Sequence, residues 1–336
     1  MGSPSAVPHA ARSAILTSAL ALLASCGGGG GGGSGGGLGS GGGAPVPPVP
    51  TAFLALSSAN AQDVAAGATL TGLGASSASN LFLAAAGVPQ PLYRTHILTR
   101  FIGQQVGRLT QQLQSRPAAL IGAAAVTTPC VVSGSVSLDQ GATSATETFN
   151  ACSDMAGSSV DGTVVIDNMS LDPGVSFSGL AGLNLTFKQT GFADVNIMGS
   201  NVGVVETVNV AVDTVTLSGQ EIFTTTGTVT ERLGNFTLVA SLDASGETDD
   251  VTFNYASTKI GGSVNVSTIT PCVTDSARQF PGSGMLSLAG AGGSKIQVTI
   301  NGDETLATPQ VKIDLDADGD GTFETTLQKN WADLAV

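Results

Sequence analysis

Aromatic side chains are scarce in this 336-residue chain, at 4% of positions with one Trp (Trp331) and two Tyr (Tyr93 and Tyr255). Little ring surface is therefore on hand to line a sugar site. Charged residues make up only 11%, so Ser, Thr, Asn and Gly must cover most of the surface. Basic residues are fewer still, 12 Lys and Arg against 25 Asp and Glu for a net charge of −13. Nucleic-acid binding needs clustered Lys and Arg against phosphate, and this balance excludes it. Outside the glycine run of residues 27–43 there is no Gly-x-Ser-x-Gly, and His-Glu-x-x-His, Cys-x-x-Cys and Walker-type lysine motifs are absent; His96 is the only histidine after His9. Carboxylate neighbours such as Asp249 and Asp250 are the remaining route to glycoside chemistry. The sequence is read as that of a non-enzyme, with no catalytic residue assigned.

What is present is Gly, Ser, Thr, Val and Ala. That mixture suits short strands joined by tight turns, with small side chains filling a thin core. The charge is uneven. Residues 1–122 hold five arginines and one acid, Asp63, while the rest hold 24 acids and seven basic residues. The acidic body favours cations as charged partners.

Residues 1–25 carry Arg12, then the apolar run Ala14–Ala24, then Ser25. The run is too short for a bilayer, which needs about 20 apolar residues, but it suits a signal h-region. It ends in Leu23-Ala-Ser-Cys26, which resembles the lipobox of bacterial lipoprotein precursors. The resemblance implies cleavage after Ser25, a diacylglyceryl thioether on Cys26, and a membrane as partner through the lipid. Two or three acyl chains hold where one does not. Gly27, not Asp, follows the cysteine; by analogy with enterobacterial sorting this implies the outer membrane. Residues 26–50 then form a tether. Gly27–Gly43 contains 14 glycines, a flexible coil reaching roughly 20 Å, and Ala44–Pro50 stiffens its exit as polyproline II.

Residues 51–125 are Ala-rich and are expected to be helical. Ser57 or Ser58 is placed to cap a helix over Asn60–Ala66. A second helix is expected from Leu92 to Leu113, where Ile97, Phe101, Ile102, Val106 and Leu109 complete a stripe at three- and four-residue steps. Arg94, Arg100, Arg108 and Arg116 flank that stripe with no acid nearby. Such a helix either packs on the body with its arginines against acids or lies on anionic headgroups. The first reading is preferred.

From residue 126 to 336 the apolar period becomes two. Leu183, Leu185 and Phe187 alternate with polar residues, as do Val208, Val210 and Val212, then Phe236, Leu238, Ala240 and Leu242. Val251, Phe253 and Tyr255 follow, then Ile296, Val298 and Ile300, and Val311, Ile313 and Leu315. Turns are expected at Asp172-Pro-Gly174, Gly219 and Gly261-Gly262. About a dozen strands without intervening helices predict a mainly β, antiparallel meander. Its apolar face must be buried by curling into a partial barrel, by forming a sandwich, or by covering the helical neck.

Cys130 and Cys152 lie on either side of Gly141 and are the expected disulfide in an oxidising compartment. The apolar parity of the two strands disagrees, so the pairing predicts a β-bulge. Cys272 is left as a buried structural thiol.

Asp316, Asp318, Asp320 and Glu324 fall in Asp314-Leu-Asp-Ala-Asp-Gly-Asp-Gly-Thr-Phe-Glu324, which resembles the Asp-x-Asp-x-Asp-Gly loops of calcium-binding proteins. Such a loop offers oxygens to Ca²⁺, which takes six to eight of them. Counting Asp316 as first puts Leu327 at the twelfth position in place of a bidentate Glu, so this is no EF-hand. Without metal, the same Asp-Gly turns simply join strands 311–315 and 322–327. Any calcium here is structural.

Cys272 to Leu334 resembles uncharacterised proteobacterial lipoproteins through Pro281–Gly284, Asp318–Gly321 and Trp331-Ala-Asp-Leu334, a resemblance that implies no activity. The expected function is a lipid-anchored envelope scaffold or binding protein for another protein. The alternative is a carrier holding lipid or another apolar ligand in a hollow of the curled sheet.

Overall fold

The computed structural model describes residues 48–74, 125–153, 156–172, 176–191, 193–208, 212–243, 245–275, 280–301 and 310–334. The signal segment, Cys26 and the glycine tether lie outside the described residues, as do the expected helix 92–113 and His96. The chain divides at Pro45, and every described residue belongs to the second unit, Val46–Val336.

That unit is mainly β. Fourteen strands follow one another in a single antiparallel sheet, each hydrogen-bonded to the next in sequence. They are β1 (Val126–Pro129), β2 (Ser133–Gln140), β3 (Ala145–Ser153), β4 (Ser158–Asp172), β5 (Ser176–Gln189), β6 (Val195–Val208) and β7 (Asp213–Thr226). The meander continues through β8 (Val229–Leu242), β9 (Gly246–Ser257), β10 (Gly262–Asp275), β11 (Ser283–Ala289), β12 (Lys295–Ile300), β13 (Val311–Asp316) and β14 (Thr325–Lys329). Helix α1 spans Ala61–Gly74 and a single-turn helix, α2, spans Trp331–Leu334.

Alternation builds one continuous apolar face. On it Val164 lies opposite Leu183, Leu185 opposite Ile197, Val204 opposite Leu217, and Leu217 opposite Leu238. Leu238 meets Val251, and Tyr255 meets Val264. A one-residue slip anywhere would turn a strand's apolar set to solvent, so burial of this face fixes the register.

The parity of that alternation changes within several strands, and in four of them the change sits at a residue with positive φ. Asn168 (φ 54°) lies within the register shift of β4, Asn201 (φ 54°) in β6, and Asn235 (φ 47°) in β8. Ala151 (φ 45°) does the same in β3. Each is a β-bulge that inserts one residue, so Leu233 and Phe236 face the same side three positions apart. Asparagine is the residue after glycine that tolerates left-handed backbone best.

The expected partial barrel or sandwich is not what forms. The sheet is neither closed nor strongly curled, and β1 and β14 remain as its two edges. At the carboxy-terminal end a helix layer covers the face, the third of the three expected solutions. Helix α1 packs on β9, β11, β12, β13 and α2. It is buried on most sides, through Ala61, Val64, Ala65, Ala68, Thr69 and Leu73. Small residues bring it close: Gly67 lies against the Tyr255 hydroxyl and Gly72 against the Phe253 ring. Phe280 stacks on Trp331 at 5.0 Å between ring centroids, which ties α2 into the core.

Three local expectations change. The helix begins after Asn60, not after a serine cap. The Asn60 side chain accepts the Ser57 N–H at 2.8 Å and donates to the Ala55 carbonyl at 3.0 Å. Gly219 is inside β7, not in a turn, because a Cβ there would lie 2.8 Å from the Phe236 ring opposite. The Val208–Val212 alternation is not one strand: β6 ends at Val208, β7 begins at Asp213, and residues 209–211 lie outside the described residues.

Candidate metal centre in the final hairpin

Strands β13 and β14 pair from Val311–Lys329 to Leu315–Thr325, leaving residues 316–324 as the loop. Two glycines shape it, Gly319 at φ 80° and Gly321 at φ 91°. Both lie in the left-handed region that glycine enters without steric cost. A side chain at Gly319 would also strike Gly292 and Gly293, the 3₁₀ turn between β11 and β12. The loop is thus braced by its neighbour.

The four carboxylates converge. Asp316, Asp318, Asp320 and Glu324 each offer an oxygen within 4.8 Å of the others. Two oxygens on opposite sides of one Ca²⁺, each about 2.3–2.6 Å from it, stand about 4.6–5.2 Å apart, so the set fits one ion. All four donors are hard oxygens, which suits Ca²⁺ over softer metals. Asp316 is buried and the other three are exposed, so a bound ion would keep solvent ligands.

Backbone N–H groups already hold the same carboxylates. Asp316 accepts from Gly319 at 2.7 Å and from Gly321 at 3.0 Å. Asp318 accepts from Asp320 at 3.1 Å, and Asp320 from Thr322 at 2.7 Å. Glu324 reaches back to the Ala317 N–H at 3.0 Å. Each oxygen keeps a second lone pair for a cation. The loop is therefore arranged both as a plain turn and as a ligand cradle. Leu327, at the twelfth position, pairs with Ile313 and packs against the core instead of turning towards the loop.

The second assigned pair is a disulfide. Cys130 and Cys152 are bonded with Cα atoms 5.5 Å apart. Cys130 lies in the turn between β1 and β2, donating its N–H to the Gly134 carbonyl. The expected bulge is at Ala151, whose N–H is accepted by Asp161 at 2.7 Å. Asp161 also accepts from Lys188 at 2.9 Å; these two bonds, that to Lys188 first, hold its carboxyl below the usual range. An open groove beside this corner is lined by Val132, Ser153, Ser159, Lys188 and Asp194.

Cys272 is buried, opposite Asp249, and burial with the nearby Asp249 and Asp250 charges pushes its thiol up to about 12. A thiol so rarely ionised is inert. Asp249 and Asp250 do not converge on one cleft: they are consecutive on β9, so they point to opposite faces.

Sequence reasoning missed the acids on the apolar face. Glu147, Glu247 and Asp249 are buried there, and Glu231 accepts the Tyr255 hydroxyl at 2.6 Å. Burial raises the Glu231 carboxyl above its usual range, and burial with the Glu231 charge raises the Tyr255 phenol well above its own. The signal was available, since Glu247 and Asp249 share the parity of Val251, Phe253 and Tyr255. No helix among the described residues is long and apolar enough to cross a membrane. Comparison with protein-family models, curated proteins and solved structures finds no match.

Proposed function

We propose that the chain is a non-enzymatic envelope lipoprotein that presents the outer face of its sheet as a scaffold or binding surface, held by lipid on Cys26. The observation that carries this reading is the two-sided character of the sheet. One face is largely apolar and is buried from β2 to β13. The other is a mostly polar plane, with Leu180, Val205, Ile269 and Val273 exposed on it, roughly 60 Å across at about 4.8 Å per strand. Polar side chains are bonded to one another across it. Arg232 bonds Glu221 at 2.9 Å and Asn254 at 3.4 Å, and Asn254 bonds Asn265 at 3.2 Å. Thr186 bonds Asn196 at 2.8 Å in the same way. Side chains already ordered by cross-strand bonds lose little entropy when a partner docks.

The lipobox and the following glycine support an outer-membrane anchor, and the Cys130–Cys152 disulfide accords with an exported protein. In the final hairpin, Asp316, Asp318, Asp320 and Glu324 would hold a structural Ca²⁺ that neutralises their mutual repulsion. The carrier alternative drew on a curled sheet, and the open meander takes that support away. Native mass spectrometry of residues 51–336, exported without the anchor, separates the two. The scaffold reading expects a bare protein mass, with one calcium that EDTA removes. A co-purifying apolar molecule would overturn it in favour of the carrier.

A further inference from the structure

The two edges of the open sheet are unlike. β1 is four residues long and ends in Pro129, which has no N–H to offer a further strand. β14 holds no proline, and it pairs with β13 without a register shift from Leu315–Thr325 to Val311–Lys329. Among the described residues nothing pairs with its other side. A regular edge of this kind presents a row of outward N–H and C=O groups, which is a template for another strand.

Apolar surface lies along the same edge. Thr325, Leu327 and Lys329 stand opposite Leu315, Ile313 and Val311, on the buried side of the sheet. Leu327 packs on the core yet stays only half-buried. Phe323, just before the strand, is 39% exposed, whereas Phe149, Phe177, Phe236 and Phe253 are buried. A strand added to β14 would cover the open side of Leu327 and give Phe323 a neighbour.

Charge decides which strand fits and in which direction. Asp316, Asp318, Asp320 and Glu324 stand at the amino-terminal end of β14, and the last three are exposed. Lys329 stands at the other end and forms no ion pair among the described residues. A lysine on an edge ordinarily discourages strand addition. Beside a parallel copy of β14 it would do so, because lysine would meet lysine and acids would meet acids. An antiparallel copy sets each lysine towards the other's acids, at both ends of the contact. With the two-fold axis at Leu327, that residue lies opposite its own copy, Thr326 opposite Gln328, and Thr325 opposite Lys329. Apolar meets apolar on the buried side and polar meets polar on the outer side, so pleat and register agree.

We propose that the β14 edge is a homodimer interface, where a second copy of this chain adds its own β14 antiparallel about Leu327. A two-fold contact uses the same patch on both copies and closes on itself. It joins two 14-strand sheets into one and brings their outer planes to the same side. This goes beyond the scaffold reading and depends on neither lipid at Cys26 nor calcium in the loop.

Five residues make a small contact, of the weak and reversible class, so the test traps it covalently. Thr326→Cys and Gln328→Cys, both at exposed outer positions, are introduced together in the full-length chain. Isolated membranes are oxidised in EDTA, which leaves the loop carboxylates uncompensated. Within one chain the two positions are nearly 7 Å apart, about 3.4 Å per residue, beyond the reach of a disulfide; across the axis they are opposed. The expected result is a covalent dimer several-fold above that from Thr252→Cys, which is exposed on β9 of the same plane. Its disulfides should link 326 to 328 of the other copy, and adding Lys329→Glu should lower the yield several-fold. Thr326→Cys gives up a bond to Asp314. Should that disturb folding, Gln328→Cys alone, bridged by a thiol crosslinker spanning about 8 Å, reads the same contact. A dimer yield no higher than the Thr252→Cys control would overturn the proposal. So would a ladder of higher polymers, links to other proteins, or a yield that Lys329→Glu leaves unchanged.

Discussion

Asn168, Asn201 and Asn235 are exposed, so their side chains matter less than the backbone they permit. A β-branched residue in left-handed backbone costs about 1–2 kcal/mol. Asn235→Val is therefore expected to lower unfolding stability by about that amount, and Asn235→Gly to change it far less; urea denaturation of the two variants checks both. A second residue-scale prediction concerns Glu231. Its folded carboxyl is raised above the ordinary 4.5, so the folded state holds the proton more tightly than the unfolded one. Glu231 thus favours folding most below pH 4.5, and that contribution is lost as pH rises through the raised value. Glu231→Gln should gain stability relative to the parent chain as pH climbs above 4.5, read from melting temperatures across pH. A constant difference would contradict this. These features were only half legible. The parity break between Leu233 and Phe236 is visible in the sequence, but nothing there says whether it marks a bulge or a strand end. The buried acids were hidden because a carboxylate in an alternating pattern is ordinarily assigned to the solvent side.

Elements were easier to read than the breaks between them. Strands β5, β8, β9, β12 and β13 follow directly from alternating Leu, Ile, Val and Phe, because one buried face imposes period two. Gly219 misled because a glycine that clears space for Phe236 looks, in sequence, like a glycine that turns the chain. The disulfide was legible through position and symmetry about Gly141. It joins β3 to the β1–β2 turn across a separation of 22 residues. Chain-entropy reasoning gives such a loop about 3 kcal/mol. Cys130→Ser is expected to lower stability by that order, and a loss below about 1 kcal/mol would argue that the unfolded chain is already compact there. For the final hairpin, calcium at a hundredfold excess over its dissociation constant would raise stability by about 2.7 kcal/mol. Asp320→Asn, which keeps the oxygen that accepts from Thr322, should abolish the calcium-dependent rise in melting temperature while leaving the metal-free value near that of the parent chain. A rise that survives the substitution would place the ion elsewhere.

At the scale of the whole molecule the sequence specified an antiparallel meander but not how it closes. Alternation says which side of each strand is buried and nothing about what lies against it, so barrel, sandwich and helix-covered sheet share one pattern. The open sheet leaves two edges, β1 and β14. β1 is a four-residue strand ending in Pro129, whose missing N–H blunts further strand addition. On the proposed reading, the outer plane gains its functional sense from where lipid on Cys26 would hold the domain. The most direct measurement is mass spectrometry of the amino-terminal peptide, with membrane fractionation of the full-length chain and its Cys26→Ala variant. Lipid anchoring predicts a peptide beginning at Cys26 with a diacylglyceryl group, membrane recovery of the parent chain, and release of the variant. An unmodified Cys26, or a variant that stays with the membrane as firmly as the parent, would contradict it.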